Sequence, residues 1–298
     1  MGFSWTQQFQ PFLAQSPYFR QMNSKLTRIA PTPSGFLHLG NAYSFLKTKA
    51  LAEKHGTKIL LRIDDLDRER YRQEYVQDIF DTLDFLEIKI DQGPKNLQEF
   101  ETEWSQVHRM EKYKEALTQL ESIKKVFACD CSRKKIQQLD PSGYYLGQCL
   151  ERRLPLDKPE VAWRIDTSEA DFIPYTEFPN QQKSALIPQD TAFYTVRKKD
   201  GLPAYHLTSL VDDLHFGVDL IVRGNDLHAS TLAQLDLARI LGASQFEKIT
   251  FHHHAIIRGP KQEKLSKSEG ATSIQYLRKQ GKKLEDIVEL VFPSVDKK

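Results

Sequence analysis

The chain has 298 residues, of which 40% are hydrophobic and 28% are charged. This composition is typical of a globular protein, and the length predicts one or two domains that each bury a core. The net charge of +2 excludes a uniformly basic surface, so any contact with nucleic acid must come from local clusters of lysine and arginine.

The sequence also limits where the protein is expected to work. No apolar run approaches the ~18 residues of a membrane-spanning helix, and residues 1–19 lack the basic start and long apolar stretch of a secretion signal. We therefore expect a cytoplasmic protein with no membrane contact and no obligate protein partner. The three cysteines are an odd number, which argues against a disulfide framework in a reducing compartment.

The first part of the chain predicts an α/β fold. Residues 1–24 are predicted to be an N-terminal extension, and residues 25–128 are predicted to be the first half of a nucleotide-binding domain. Leu26–Ala30 and Lys58–Ile63 predict buried strands, joined by a helix that starts after His38 and stops at Gly56. Strand, helix and strand with short links predict a parallel sheet. Two later helices are predicted from apolar residues at helical spacing, Tyr75, Ile79, Leu83 and Leu86 in one and Met110, Tyr113, Leu117 and Leu120 in the other.

Residues 129–200 break this alternation. They contain all three cysteines, several prolines and short β-like runs, which predicts an insertion that splits the nucleotide-binding fold. Residues 201–258 are predicted to be its second half, and residues 259–298 a lysine-rich loop with a short helical segment. The elements predicted in these regions are strands at Val161–Ile165, Ala192–Val196, Val218–Arg223 and Ile249–Ile257, a helix through Leu232, Leu235 and Ile240, and helices at Ile274–Leu277 and Leu284–Val291.

The segment Pro31–Asn41 joins the end of the first strand to the start of a helix. The free N–H groups and the dipole of a helix N-terminus bind phosphate and ribose oxygens. Gly40 lets a nucleotide approach the backbone closely, and His38 is able to donate to phosphate oxygens as negative charge builds in a transition state. The alternative is a proline-bounded turn that only begins a helix.

A second candidate phosphate-binding segment is Lys264–Ser268, with the sequence Lys-Leu-Ser-Lys-Ser. Lys264 and Lys267 suit a polyphosphate, because an ammonium group is a point charge that can follow a leaving pyrophosphate. The alternative is a solvated charged loop. The order of the two segments, each beside a predicted half of the α/β fold, favours one shared nucleotide site in which His38, Lys264 and Lys267 are catalytic.

These two segments resemble the HIGH and KMSKS signatures of class I aminoacyl-tRNA synthetases, with Asn41 in place of the second histidine. Three stretches resemble the glutamyl branch more narrowly: Arg28–His38 (RIAPTPSGFLH), Leu61–Arg70 (LRIDDLDRER) and Tyr205–Asp213 (YHLTSLVDD). The resemblance covers roughly residues 25–275 and implies a Rossmann-type catalytic core that activates glutamate to glutamyl-adenylate. It implies that ATP binds with Mg²⁺ to His38, Gly40, Asn41, Lys264, Ser266 and Lys267.

The same resemblance implies an amino-acid pocket. Arg28 and Arg223 would bind carboxylate through their planar guanidinium groups, and the related glutaminyl enzymes lack an arginine at the position of Arg223. Ser34 and Tyr205 would add hydrogen bonds, and Asp64 would meet the substrate ammonium where the family usually has glutamate. From the residues alone, the two arginines could instead form ion pairs at strand ends, and Tyr205 could belong to the core.

Two other charged clusters have a structural and a functional interpretation. Asp212 and Asp213 are candidates for a metal or acid/base pair, but neighbouring side chains on a strand point to opposite faces, which favours a structural role. A basic cluster near the C-terminus would either contact RNA phosphates or form a solvated helix face. Its members are Arg278, Lys279, Lys282 and Lys283.

The three cysteines form a third candidate site. Cys129 and Cys131 are followed by Cys149, and thiolates bind zinc tetrahedrally. No histidine lies between positions 109 and 205, so a fourth ligand must supply oxygen. The alternative is three ordinary thiols. The pattern C-x-C…Y-x-x-x-C resembles the glutamyl-queuosine tRNA(Asp) synthetase group, which implies a zinc-binding subdomain with Tyr145 as the fourth ligand, although Tyr144 is adjacent.

The acceptor of the glutamyl group is expected to differ from a tRNA 3′ end. Only about 30 residues follow Ser268, fewer than the roughly 50 residues of a small domain, whereas glutamyl-tRNA synthetases carry a large anticodon-binding region. The resemblance then implies transfer to queuosine in the anticodon arm of tRNA(Asp). The alternatives are conventional charging of a tRNA, a non-catalytic binding module derived from a synthetase, and a nucleotidyltransferase that adenylylates another substrate.

Overall fold

The structure is a computed structural model that describes residues 24–257 and 273–292. Lys264–Ser268 and residues 1–23 of the predicted extension lie outside these ranges. The strands are β1 (Leu26–Ile29), β2 (Lys58–Leu61), β3 (Val126–Cys129), β4 (Ala162–Ile165), β5 (Ile173–Glu177), β6 (Gln181–Ala185), β7 (Thr195–Arg197), β8 (Leu220–Gly224) and β9 (Thr250–His254). The longer helices are α1 (Leu39–His55), α2 (Gln73–Phe85), α3 (Met110–Ser122), α4 (Arg133–Leu139), α5 (Tyr205–Phe216), α6 (His228–Ile240), α7 (Ile274–Lys279) and α8 (Leu284–Val291).

The chain divides into two compact units. The first comprises the described residues up to His108, Val218–Asn225, and the described residues from Phe251 onward. The second comprises Arg109–Gly217 and Asp226–Thr250. These boundaries differ from the predicted division at residues 129, 201 and 259, because α3, α5 and α6 belong to the same compact unit as the predicted insertion.

The first unit contains the predicted parallel sheet. Strand β1 lies between β2 and β8 and is parallel to both, with Ile29 opposite Leu61 and Thr27 opposite Leu220. All four residues of β1 are buried, as expected for a strand covered on both faces. The carboxyl ends of these strands therefore meet at one edge, the place where ligands bind in open α/β sheets.

Helix α1 follows β1 and packs on the core of the first unit. Leu39, Ala42 and Leu46 recur at helical spacing and are buried. Gly56 ends the helix at φ 67°, a left-handed conformation in which glycine has no Cβ penalty. Apolar side chains of α1, α2 and α8 share one buried cluster, so the C-terminal helices are part of this unit.

The second unit combines helices with antiparallel strands. β3, β4 and β7 form a three-stranded sheet in which both strand pairs are antiparallel. β5 and β6 form an antiparallel hairpin. Among the described residues, no helix combines the length and the apolar character needed to cross a membrane.

Two sequence predictions of local structure are corrected. Asp212 and Asp213 lie in α5 and not on a strand, because Leu207 and Leu210 recur at helical spacing on its buried side. The β-like run Ala192–Val196 contributes only its end to β7 (Thr195–Arg197). The β5–β6 hairpin was not predicted, since all but one residue of β6 are exposed and it has no apolar pattern.

Candidate functional site

His38 stands at the N-terminus of α1, as predicted. It is the N-cap residue, with an extended backbone at φ −119° and ψ 173°. Its backbone N–H donates to Oδ1 of Asn41 at 3.0 Å. Asn41 therefore closes the first turn of the helix from the third helical position, as in a capping box. This contact gives a local physical reason for asparagine at the position where the class signature has histidine.

The described chain resumes beside His38 after the gap that contains Lys264–Ser268. Ser273 forms an antiparallel bridge with His38, and the N–H of Ile274 donates to the carbonyl of Leu37 at 2.7 Å. The Ser273 hydroxyl also accepts from the N–H of Tyr276 and caps α7. The described residue that follows Lys267 most closely in sequence thus lies at the His38 turn.

Arg28 and Arg223 lie near the carboxyl ends of adjacent parallel strands, β1 and β8. Both are buried, with exposed fractions of 6% and 3%. An Arg28 Nη1 donates to the carbonyl of Val222 at 3.1 Å, next to Arg223 in the chain. The Arg223 guanidinium lies 5.5 Å from the ring centroid of Phe251. Two positive charges are thus held inside the first unit at the edge where its parallel strands end.

Asp64 follows β2 and reaches the same edge of the sheet. Its N–H donates to the carbonyl of Pro31 at 2.9 Å. Its carboxylate accepts from Nε and Nη2 of Arg62 at 2.7 and 3.0 Å. A carboxylate has about four lone-pair positions, so this fork leaves acceptor capacity for an ammonium group. The next residue, Asp65, is buried and accepts from the Ser105 hydroxyl at 2.6 Å, which ties down the loop that carries Asp64.

The other predicted pocket residues differ in exposure and in location. Ser34 is exposed in the turn after β1, and Gly40 is half-buried in the first turn of α1. Tyr205 opens α5 in the second unit and is 42% exposed, so the alternative that places it in the core is wrong. The first unit therefore holds together the described members of the predicted nucleotide site and all predicted glutamate-binding residues except Tyr205.

Asp212 forms a buried ion pair and a hydrogen bond within the second unit. It is fully buried in α5, where its carboxylate accepts from Nε and Nη2 of Arg109 at 2.7 and 3.1 Å. The hydroxyl of Tyr113 in α3 donates to it at 2.7 Å. Burial, and then the Asp212 charge, raise the pKa of Tyr113 far above its ordinary value. This network ties α5 to α3 and agrees with the structural interpretation of Asp212.

The three cysteines converge in the second unit. Their sulfur atoms lie within 4.8 Å of one another, and the sulfurs of Cys131 and Cys149 are 3.4 Å apart. Four ligands arranged tetrahedrally around zinc would place sulfur atoms about 3.8 Å apart. The Tyr145 hydroxyl accepts from the N–H of Cys149 at 3.0 Å, and Tyr145 is buried, whereas Tyr144 is exposed. The donor set of three sulfurs and the Tyr145 oxygen fits zinc.

The pKa values of two thiols in this cluster are shifted in opposite directions. Burial raises the pKa of the Cys131 thiol to about 12, and the hydrogen bond with Cys149 adds to the rise. Burial acts in the same direction on Cys149, but hydrogen bonds from Tyr145, Cys131 and Arg152 outweigh it and lower the pKa of that thiol. Burial also raises the pKa of Tyr145. These shifts oppose ionisation of the Cys131 thiol and favour it at Cys149, and a bound divalent cation would favour the thiolate form of its sulfur ligands.

Arg278 differs from the rest of the basic cluster. Its side chain is only 21% exposed and lies 2.9 Å from a carboxylate oxygen of Asp78 and 3.4 Å from one of Asp81. Lys279 donates to Gln275 on the surface of α7, and Lys282 lies 3.5 Å from Asp286. The solvated helix face predicted from the sequence therefore does not include Arg278. The pairing of Arg278 with the buried Asp78 was not predicted, because a local sequence pattern does not indicate a contact between residues 200 positions apart.

The chain is similar in sequence to known synthetases. A family model described as the catalytic domain of class I tRNA synthetases (E and Q) matches residues 25–150 and 181–292. Glutamate–tRNA ligase 1 of Nitrosococcus oceani is 29% identical over 269 residues, which are 86% of this chain and 53% of that protein. Glutamate–tRNA ligase of Bordetella petrii is 31% identical over 268 residues, 86% of this chain and 54% of that protein. The chain spans about half the length of these relatives.

Solved structures share the fold. A glutamate tRNA ligase from Elizabethkingia meningosepticum, crystallised in complex with its amino acid, matches with a TM-score of 0.67 at 21% identity. The match covers 87% of this chain and 54% of that chain. A glutamate–tRNA synthetase from Elizabethkingia anophelis matches with a TM-score of 0.68 at the same identity and coverage. At this identity the likeness establishes the fold alone.

Proposed function

The chain belongs to the family of class I glutamyl- and glutaminyl-tRNA synthetase catalytic domains, and from that premise we propose that it activates glutamate with ATP to glutamyl-adenylate. The observation that carries the proposal is the pair of buried arginines, Arg28 and Arg223, at the carboxyl edge of the parallel strands. Two cations at one ligand-binding edge suit a substrate that has two carboxylates and one ammonium group.

The choice of glutamate over glutamine rests on Arg223. A guanidinium group that faces a carboxylate forms charge-assisted hydrogen bonds. Facing a neutral amide inside the protein, it would lose the ionic partner that compensates its burial. Asp64 supplies the complementary negative charge for the substrate ammonium, and Ser34 adds a hydrogen-bonding group in the same unit. The family resemblance assigns a hydrogen-bonding role to Tyr205 as well.

The nucleotide lies at the N-terminus of α1, with its Mg²⁺. A carboxylate oxygen of glutamate attacks the α-phosphorus, and the bond to pyrophosphate breaks. His38, the N–H group of Gly40 at the helix terminus and Asn41 stabilise the charge that grows on the phosphate oxygens. Lys264, Ser266 and Lys267 bind the leaving pyrophosphate. Support for this joint site comes from Ser273, which pairs with His38 in the described structure.

A structural zinc ion completes the second unit. Cys129, Cys131 and Cys149 supply sulfur, and Tyr145 supplies oxygen. The ion would hold β3 and the chain around Cys149 together, as structural zinc sites do in small subdomains. The close approach of the three sulfurs and the burial of Tyr145 support this assignment.

The acceptor is queuosine in the anticodon arm of tRNA(Asp). A hydroxyl of its cyclopentenediol attacks the carbonyl carbon of the adenylate, loses its proton and forms an ester as AMP leaves. Positioning is sufficient for this step, and no covalent intermediate on the protein is needed. The C-x-C…Y-x-x-x-C pattern supports this acceptor. The glutamate–tRNA ligases among the relatives favour the second candidate, which is esterification of a tRNA 3′ end.

Transfer of radiolabelled glutamate separates the two acceptors. The substrates are tRNA(Glu) and tRNA(Asp) with and without queuosine, and each form of tRNA(Asp) is also prepared with a 2′,3′-dideoxy terminus that cannot accept an ester. The proposal predicts labelling of both queuosine-containing forms and of neither unmodified form. Equal labelling of modified and unmodified tRNA(Asp), loss of label with the dideoxy terminus, or labelling of tRNA(Glu) instead would reject queuosine as the acceptor.

A further inference from the structure

Asp78 is a carboxylate buried in the middle of α2. Only 2% of the residue is exposed. A buried ionised carboxylate is costly unless its oxygens have partners, and breaking such a set of contacts is more costly still. Its two partners come from segments far away in the sequence. Leu37 directly precedes His38, and Arg278 lies in α7, the helix whose first residue bonds to Leu37.

The contacts of Asp78 form a closed circuit. One carboxylate oxygen accepts the backbone N–H of Leu37 at 3.0 Å, and the other accepts Nη2 of Arg278 at 2.9 Å. Arg278 lies in α7, one turn after Ile274. The N–H of Ile274 returns to Leu37 by donating to its carbonyl at 2.7 Å. Both polar groups of the Leu37 backbone are therefore held, one by Asp78 and one by α7.

These contacts fix the backbone on both sides of the turn that carries His38, the residue proposed to act in catalysis. Leu37 directly precedes His38, and Ser273, which precedes Ile274, forms the bridge to His38. A shift of α7 relative to α2 would stretch the contacts on Leu37 and move the histidine. A displacement of about 1 Å at a reacting group is enough to reduce a rate about 100-fold.

Asp81 is a second carboxylate on α2 that contacts Arg278, and it differs from Asp78 in its exposure. It lies one turn after Asp78 on α2, and its side chain is 43% exposed. It contacts the same arginine at 3.4 Å. An exposed ion pair of this kind contributes little to stability. Asp78 differs from it in burial and in the bond to Leu37, so Asp81 provides a matched control.

We propose that Asp78 and Arg278 are positioning residues that hold the His38 turn and the start of α7 in one register for adenylate formation. Neither residue touches substrate. The inference rests on the proposed function, because its consequence for catalysis is measured in that reaction. It also predicts that the Leu37 amide of the free protein is protected from hydrogen exchange, a property that can be measured without an activity assay.

The test compares Asp78→Asn, Arg278→Ala, the double variant, Arg278→Lys and the control Asp81→Asn. Glutamate-dependent exchange of pyrophosphate into ATP gives kcat and KM, and hydrogen exchange measures the Leu37 amide. We expect the two single variants to lower kcat about 10- to 100-fold with KM for glutamate within about twofold. The double variant should be no worse than the worse single one, since the pair acts as one unit. Arg278→Lys should restore part of kcat.

Hydrogen exchange separates this inference from the proposed function. The Leu37 amide should exchange faster in Asp78→Asn and Arg278→Ala, while Asp81→Asn should match the wild type in both measurements. Wild-type rates and wild-type amide protection in Arg278→Ala would overturn the inference. A defect confined to transfer onto RNA would overturn it as well and return Arg278 to an RNA contact. A wild-type chain without exchange activity would refute the proposed function, while the Leu37 amide would still decide whether the pair holds the turn.

Discussion

In the proposed site, the preference for glutamate over glutamine rests on the guanidinium group of Arg223, a residue that is 3% exposed near the end of β8. Replacing it by glutamine removes a charge-assisted contact inside the protein, worth about 3 to 4 kcal/mol when one partner is truncated. For Arg223→Gln we expect kcat/KM for glutamate to fall about 100- to 1000-fold. The preference over glutamine should shrink with it.

Steady-state pyrophosphate exchange with each amino acid measures this effect. Arg72→Gln is the control, because Arg72 is exposed and donates hydrogen bonds to nearby backbone carbonyls, at Glu69 and Tyr71. It should keep kcat/KM within about twofold, as expected for a surface change. An Arg223→Gln variant that activates glutamate as well as the control does would contradict the assignment.

Tyr145 and Tyr144 test the metal site at the level of single atoms. Tyr145→Phe removes the oxygen proposed as the fourth ligand, and we expect zinc affinity to fall at least about 10-fold. Tyr144→Phe removes an exposed hydroxyl and should leave the affinity unchanged. The readouts are metal content by mass spectrometry and competition with a chromogenic chelator. Equal zinc affinity in the two variants would exclude Tyr145 as a ligand.

Residue types at the site were easier to predict from the sequence than their contacts. His38 was identified because the start of a helix is visible as a local pattern, whereas Arg28 and Arg223 were assigned to the amino-acid pocket by the family resemblance. The residues alone did not predict the burial of both arginines, since a lone arginine is usually on the surface. Asp78 and Arg278 were missed as a pair, because they are separated by 200 positions and only the folded chain brings them together.

Among the elements, α5 is held by a buried ion pair whose loss has a measurable cost. In Asp212→Asn the Arg109 guanidinium loses its carboxylate partner inside the second unit. We expect the free energy of unfolding to fall by about 3 to 5 kcal/mol. Urea unfolding, followed by circular dichroism, measures this change from the midpoint at an unchanged slope.

The exposed pair of Lys114 and Glu111 on α3 is the control for this measurement. Its atoms are 2.7 Å apart, as close as those of the buried pair, but its side chains are 60% and 79% exposed. Lys114→Ala should cost at most about 1 kcal/mol. If Asp212→Asn were no more destabilising than Lys114→Ala, the network would not have the structural role assigned to it.

Elements with an apolar period were predicted well, and elements without one were not. The helix from Leu39 ends at Gly56 as expected, because a glycine at φ 67° has no steric penalty. The segment around Asp212 was placed on a strand, although its leucines follow the helical period. The β6 strand was missed, since its exposed residues give no alternation and only its pairing with β5 defines it.

At the scale of the whole molecule, the alternation of strands and helices correctly predicted the parallel sheet around β1. It did not predict which helices pack in which unit. Helices α3, α5 and α6 lie with the cysteine region in the second unit, because the boundaries of a unit depend on contacts between distant segments. The family match covers residues 25–150 and 181–292, parts of both units.

Formation of glutamyl-adenylate is the reaction proposed for this chain. Exchange of labelled pyrophosphate into ATP measures this step directly, with glutamate, glutamine or aspartate as the amino acid. We expect exchange that depends on glutamate, occurs without tRNA, and is at least about 100-fold weaker with glutamine. Absence of glutamate-dependent exchange at high protein concentration, both alone and with tRNA added, or an equal rate with glutamine, would contradict the proposed reaction.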